Sequence, residues 1–163
     1  MSGTFAIREP SVDDADGVAE VHNRGWREAY GQLLPEEFYD DAALQRRKKS
    51  WRSLLGQGEP SLRLFVGEAE GRIVGVGLAG KSREQNPARD LELRTLYVIS
   101  PYYGSGVAQA LLDAAIGQER AQLWVARDNP RAQAFYRRNG FTMDGAEKVD
   151  KDIDNLVEVR FVR

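Results

Sequence analysis

Leu91-Glu92-Leu93-Arg94-Thr95-Leu96-Tyr97-Val98, followed through Ser100-Pro101-Tyr102-Tyr103-Gly104-Ser105-Gly106 by Val107-Ala108-Gln109-Ala110-Leu111-Leu112-Asp113-Ala114-Ala115, decides the architecture. Residues 91–98 are apolar and short enough to read as a strand, and 100–106 read as a loop. Val107, Ala110, Leu111, Ala114 and Ala115 then fall at the spacing of a helix buried on one face. Their small size allows close packing on a sheet. A helix that starts directly after such a loop leaves backbone N–H groups free, and its dipole adds partial positive charge there. Glycines at 104 and 106 keep side chains out of the way of phosphate oxygens and permit backbone angles closed to other residues. A plain tight turn is the competing reading. A P-loop is excluded because no Gly-Lys-Ser or Gly-Lys-Thr follows, and Gln109 stands where a dinucleotide fingerprint needs its third glycine. The pyrophosphate of another nucleotide remains.

Working outward toward the C-terminus, 122–126 read as a strand, Asn129 suits a helix N-cap and Pro130 the first helical position. The helix 130–139 meets Gly140, a left-handed stop. Residues 141–143 and 156–162 are predicted strands, the latter alternating Val157, Val159 and Phe161 with Glu158 and Arg160. Toward the N-terminus, the apolar runs 62–69 and 72–79 flank Glu70-Gly71 and form a hairpin. Residues 81–90, with Pro87, are a polar connection. An amphipathic region from Pro35 to Leu55 carries Phe38, Leu44 and Trp51. Residues 4–8 read as a first strand, and Ser11-Val12-Asp13-Asp14 begins a helix with Val12, Ala15, Val18, Ala19 and His22 at helical spacing. Paired strands followed by alternating strands and helices predict a mixed α/β sandwich whose sheet is covered on both faces. The length, 163 residues, predicts one domain spanning 1–163.

Composition removes several chemistries. There is no cysteine and only one histidine, so thiolate nucleophiles, disulfides and multi-histidine metal sites are excluded, and no metal is expected. A net charge of −2 gives no general reason to bind nucleic acid. No apolar run approaches the ~18 residues of a membrane-spanning helix, and no partnership with a membrane is expected. The opening residues lack a basic segment followed by an apolar run, which predicts a cytoplasmic location.

The loop 103–108 with its flanks resembles the signature of the GNAT superfamily of N-acetyltransferases: glutamine or arginine, two residues, glycine, one residue, glycine or alanine. Leu96-Tyr97-Val98 leads into it as that family's central strand does, and Ala110-Leu111-Leu112 continues it. The block from Asn129 to Phe141 resembles the family's other motif. Trp26, Tyr30 and Leu33-Leu34-Pro35 are similar to a common opening of the family. Tyr103 departs from the pattern, standing where glutamine or arginine is usual. The resemblance implies a mostly antiparallel central sheet splayed between its two central strands and covered by helices. It implies acetyl-coenzyme A as cosubstrate, with its pantetheine arm along Leu96, Tyr97 and Val98 and its pyrophosphate on the amides of Tyr103, Gly104, Ser105, Gly106, Val107 and Ala108. Asn129 would bond the pantetheine, Ala132 would line its path, and both share a helix face with Tyr136.

Direct attack of an amine on a thioester needs a neutral amine, stabilisation of the oxyanion and a proton for the thiolate. The resemblance makes Tyr136 the general acid and the Val98 amide the oxyanion donor. A packed aromatic is the other reading of Tyr136. Period-two alternation puts Glu92 on the side of Arg94, Leu96 and Val98, where it faces the amine as a base or else is a solvated or salt-bridged strand residue. Glu28 is its rival. Trp26, Glu28, Tyr30 and Leu33 are expected to wall the acceptor pocket, with core packing the alternative for Trp26. His22 is expected to pack rather than catalyse. Arg46-Arg47-Lys48-Lys49 reads as a solvated helix face or as an approach to phosphates. Asp144, Glu147, Asp150, Asp152 and Asp154 make the segment before the last strand acidic, favouring a cationic acceptor. The competing function is a non-catalytic acyl-coenzyme A sensor. The partner is a small-molecule or peptide amine, and an edge strand allows a homodimer.

Overall fold

The structure is a computed structural model that describes residues 3–163. A single seven-stranded sheet has the order β1-β2-β3-β4-β5-β7-β6, built from β1 (Ala6–Arg8), β2 (Arg63–Ala69), β3 (Arg72–Lys81), β4 (Leu91–Val98), β5 (Gln122–Ala126), β6 (Thr142–Asp150) and β7 (Leu156–Val162). All neighbours run antiparallel except β4 and β5, the parallel pair. The helices are α1 (Ala15–Tyr30), α2 (Asp41–Gln57), α3 (Val107–Ala115) and α4 (Pro130–Arg138). The mixed, mostly antiparallel architecture is the expected one.

Glycines let α3 settle onto one face of the sheet, the back. A Cβ at Gly67 would meet Val107 at 2.8 Å, and one at Gly75 would meet Leu111 at 2.9 Å. Leu111 and Leu112 are fully buried there, each stabilising by about 2 kcal/mol through removal from water. Helix α1 lies on the opposite face, the front, where a Cβ added at Gly25 would meet the Tyr97 side chain at 3.1 Å. Helix α2 packs on α1, its N-terminus capped by the Asp40 carboxylate, which accepts from the Ala43 amide at 2.8 Å.

Two expectations are corrected. Strand β4 carries a bulge: Ala79 pairs with Leu93 and Leu78 with Thr95, leaving Arg94 unmatched. One extra residue reverses the alternation. Leu93 therefore shares the back with Leu96 and Val98, and Glu92 points to the front, away from the side it was expected to share. The strand expected at 141–143 is also longer, because β6 runs from Thr142 to Asp150. Gly145, at φ 92°, absorbs an irregularity between Met143 and Glu147 and lets pairing with β7 resume. The charged side chains are tolerated because this edge strand is largely exposed.

Between β4 and β5 the register holds one pair, Glu92 with Gln122. Gln122 is fully buried and donates to the Glu92 carboxylate at 2.7 Å and to Glu84 at 2.5 Å. Beyond that stitch the strands part.

Candidate active site

The parting creates a cleft of about 860 Å³, lined by residues of β4, β5, the loop after β4, the end of α1 and the start of α4. Its walls carry free peptide groups. Ile99 N–H donates to Val74 O at 3.1 Å, and antiparallel alternation then turns the Val98 N–H away from β3 and into the gap. On the other wall, Arg127 N–H donates to Val157 O, so the same rule turns the Trp124 peptide groups into the gap.

At one end stands the glycine loop. Tyr103 N–H donates to Ser100 O and Ser105 N–H to Tyr102 O, while the Ser105 hydroxyl donates to Tyr102 O at 2.5 Å and accepts from Val107 N–H at 3.3 Å. These bonds fix the turn. Among the described residues, the amides of Gly104, Gly106 and Ala108 have no protein acceptor, and they sit where α3 begins. Gly104 and Gly106 take φ values of 75° and 96°, and a Cβ at Gly104 would meet nothing within 4 Å. The concavity is open, polar and suited to an anion.

At the other end three phenols converge. Tyr136 of α4 is buried against Phe135, Phe141 and Phe161. Burial first, then its neighbour Tyr97, raises its pKa far above the ordinary phenol value. Tyr97 is pushed up to about 12 by burial, opposed by the bond that its oxygen accepts from Trp26 Nε1 at 2.8 Å. Tyr30, beside the Asn129 side chain, is also raised by burial, then by Tyr97, Tyr136 and Glu158. All three hold their protons at neutral pH.

Behind Tyr97 lies a packed polar stack. The His22 ring is stacked on Tyr97 with centroids 5.1 Å apart, and its Nδ1 accepts from Trp51 Nε1 at 3.0 Å. Burial, with help from Arg47, drives its pKa down to about 3, so it is neutral. Arg47 lies 4.8 Å from the Trp26 ring centroid and donates to Phe38 O at 2.7 Å. The basic run on α2 thus contributes a prop for this stack, and Arg47 is not on a solvated face.

Leu96, Tyr97, Val98, Tyr103, Gly104, Gly106, Ala108, Asn129, Ala132 and Tyr136 are brought together in the lining of the cleft. Val107 is buried beneath the loop and Ser105 braces it instead. Asn129 caps α4, accepting from Ala132 N–H at 3.2 Å. Of the expected acceptor wall, Glu28 and Tyr30 line the cleft, whereas Trp26 packs behind Tyr97 and Leu33 is 39% exposed, outside the lining. Glu28 accepts from Ser100 N–H at 3.1 Å and from Arg24 at 2.8 Å. Glu92 is engaged by Gln122 and Ser82 and does not line the cleft. Sequence reasoning missed Arg131, whose guanidinium carbon lies 3.3 Å from the Tyr103 ring centroid, and Arg94, whose Nε is buried without a partner. An aromatic at the loop position where a polar residue is usual was the available sign of the first; nothing in the sequence marks the second.

The model of the acetyltransferase (GNAT) family matches residues 16–141. An uncharacterized N-acetyltransferase of Bacillus subtilis is 25% identical over 131 residues, 76% of this chain and 73% of that one. One from Mycobacterium tuberculosis is 33% identical over 93 residues, 53% of this chain but only 57% of that protein's length. Spermidine N(1)-acetyltransferase of Thermoplasma acidophilum is 26% identical over 158 residues, 90% and 94% of the two chains. Among solved structures, the PaiA N-acetyltransferase of Thermoplasma acidophilum in complex with coenzyme A shares the fold, with a TM-score of 0.71 at 20% identity over 96% of this chain and 98% of that one. Ard1 of Thermoplasma volcanium gives 0.67 at 22% identity over 98% and 96%.

Proposed function

The chain belongs to the GNAT family of acetyltransferases, and on that premise we propose that it moves an acetyl group from acetyl-coenzyme A to a primary amine by direct attack in the β4–β5 cleft. The observation that carries this reading is the placing of three unpartnered amides at one end of the cleft and three convergent phenols at the other. The single sheet that crosses the described chain supports treating it as one catalytic unit.

The pyrophosphate of the donor would take the amides of Gly104, Gly106 and Ala108. Its pantetheine would use the free peptide groups on the two walls, with Ala132 along its path. The thioester carbonyl then lies near the Val98 N–H, which is fixed by β4 before reaction and stabilises the oxyanion. The amine forms a C–N bond as the C–S bond breaks. Tyr136, kept neutral by burial, donates its proton to the departing sulfur. The likeness to the Thermoplasma spermidine enzyme favours a cationic acceptor.

A non-catalytic acyl-coenzyme A sensor would need the glycine loop but not the convergent phenols, whose presence favours the enzyme. Calorimetric titration with acetyl-coenzyme A, beside the variant Gly104→Val/Gly106→Val, tests the donor site: saturable binding to the native protein, lost in the variant, is expected. Release of free thiol over an amine panel tests turnover. No binding to the native protein rejects the reading, and binding without turnover of any amine favours the sensor.

A further inference from the structure

Resting on that reading, we propose that Glu158 of β7 is the group that accepts the proton of the attacking amine. The sheet geometry carries the assignment. Leu123, Val125, Val159 and Phe161 face the back core, so by alternation Trp124, Ala126, Glu158 and Arg160 face the front. Glu158 pairs with Ala126 at the end of β5 where the strands have parted. Tyr97 also faces the front, against α1. On this face Tyr97 and Tyr30 line one side of the gap, and Glu158 lies across it, one strand beyond the β5 wall and outside the lining residues, with its charge raising the pKa of both phenols. Tyr136 reaches the same gap from the back, where it packs on Phe141 and Phe161. Acid and base stand on opposite faces of the sheet. An amine entering from the front and a thiol leaving along the back wall place each proton beside the group that handles it.

The other carboxylates near the cleft are engaged or solvent-exposed. Glu92 is held by Gln122 and Ser82, Glu28 by Ser100 and Arg24, and Glu84 by Gln122 and Trp124. Asp128 lines the cleft from the turn after β5 but is exposed to solvent. Glu158 is half-buried and, among the described residues, its carboxylate has no hydrogen-bond or ion-pair partner. The charged and titratable groups around it are Lys148 and Asp150 of β6, Glu92 and Tyr97 of β4, and Tyr30 of α1. Burial raises its pKa, Lys148 lowers it, and Asp150 and Glu92 raise it. A carboxylate raised in this way is a stronger base than an exposed one.

The step balances. The C–N bond forms as the C–S bond breaks, the amine proton passes to Glu158 directly or through one water, and the Tyr136 proton passes to sulfur.

The test measures kcat/KM against pH for the native full-length chain, Glu158→Gln and Glu92→Gln, with acetyl-coenzyme A and three probes: n-butylamine, L-lysine and spermidine. Glu158→Gln is expected to lose roughly 100-fold or more at neutral pH and to lose the acid limb of the profile, with acetyl-coenzyme A affinity within about twofold of native. Glu92→Gln is expected to keep that limb. Native-like turnover in Glu158→Gln, or transfer of the loss to Glu92→Gln, overturns the assignment while leaving the acetyltransferase reading intact. A native protein that binds acetyl-coenzyme A and acetylates none of the probes contradicts both. Should Glu158→Gln not fold, Glu158→Asp serves: a retained acid limb with reduced kcat supports the role, and unchanged kcat overturns it.

Discussion

Arg131, in the first turn of α4, lays its guanidinium carbon 3.3 Å from the centre of the Tyr103 ring on the opposite lip of the cleft. The contact spans the mouth next to the amides that would hold the pyrophosphate. An exposed cation–aromatic contact contributes about 0.5–1 kcal/mol. Arg131→Ala is expected to raise KM for acetyl-coenzyme A about two- to fivefold with kcat little changed, which steady-state kinetics will read; a fall in kcat with KM unmoved would contradict it.

Tyr136→Phe keeps the ring packed on Phe141 and Phe161 and removes only the proton. Turnover should fall by about 10²-fold or more, with calorimetric affinity for acetyl-coenzyme A near native. Unchanged turnover would remove the phenol from the mechanism.

His22 gives the protein an acid-sensitive element outside the chemistry. Its unfolded pKa is about 6.5 and its folded value about 3, so the unfolded chain binds more protons between those values. Its contribution is fully present above about 6.5 and is lost as pH falls toward 3. From pH 7 to 5 the loss should be about 2 kcal/mol. Urea unfolding at those two pH values should show it, and His22→Asn, which retains an acceptor for Trp51, should flatten the difference. Asp14, lowered to about 2 chiefly by its bonds from Arg8, acts only at more acidic pH, so the two effects separate.

Gly75→Ala should destabilise by about 1–3 kcal/mol through overpacking, because the new Cβ would sit 2.9 Å from Leu111 and 3.1 Å from Val107. Trimming the obstruction in the double variant Gly75→Ala/Leu111→Ala should make the two losses less than additive in chemical denaturation.

Much of this was legible in the residues. Val107, Leu111 and Ala115 announced a buried helix face, although Leu112 and not Ala114 completes it, because the helix is gripped by both core clusters. Asn129-Pro130 fixed the start of α4, and Gly140, at φ 85°, follows its end. The bulge at Arg94 was hidden, since a single unmatched residue leaves no mark on composition and appears only when β3 sets the register. With it went the side assigned to Glu92. Glu158 was read as one polar member of an alternating strand, and only the order β5-β7-β6 sets its strand beside the β5 wall of the cleft. The inward Arg47 was concealed by three basic neighbours.

The lone Glu92–Gln122 pair between β4 and β5 makes the molecule two smaller sheets sharing a stitch. A ligand lying along the gap, bonded by peptide groups on both sides, would act as a detachable extra strand. Filled, the sheet would melt as one body; empty, hydrogen exchange along β5 and β7 would run ahead of exchange along β2 and β3, because the strand pairing between the two halves is a single stitch.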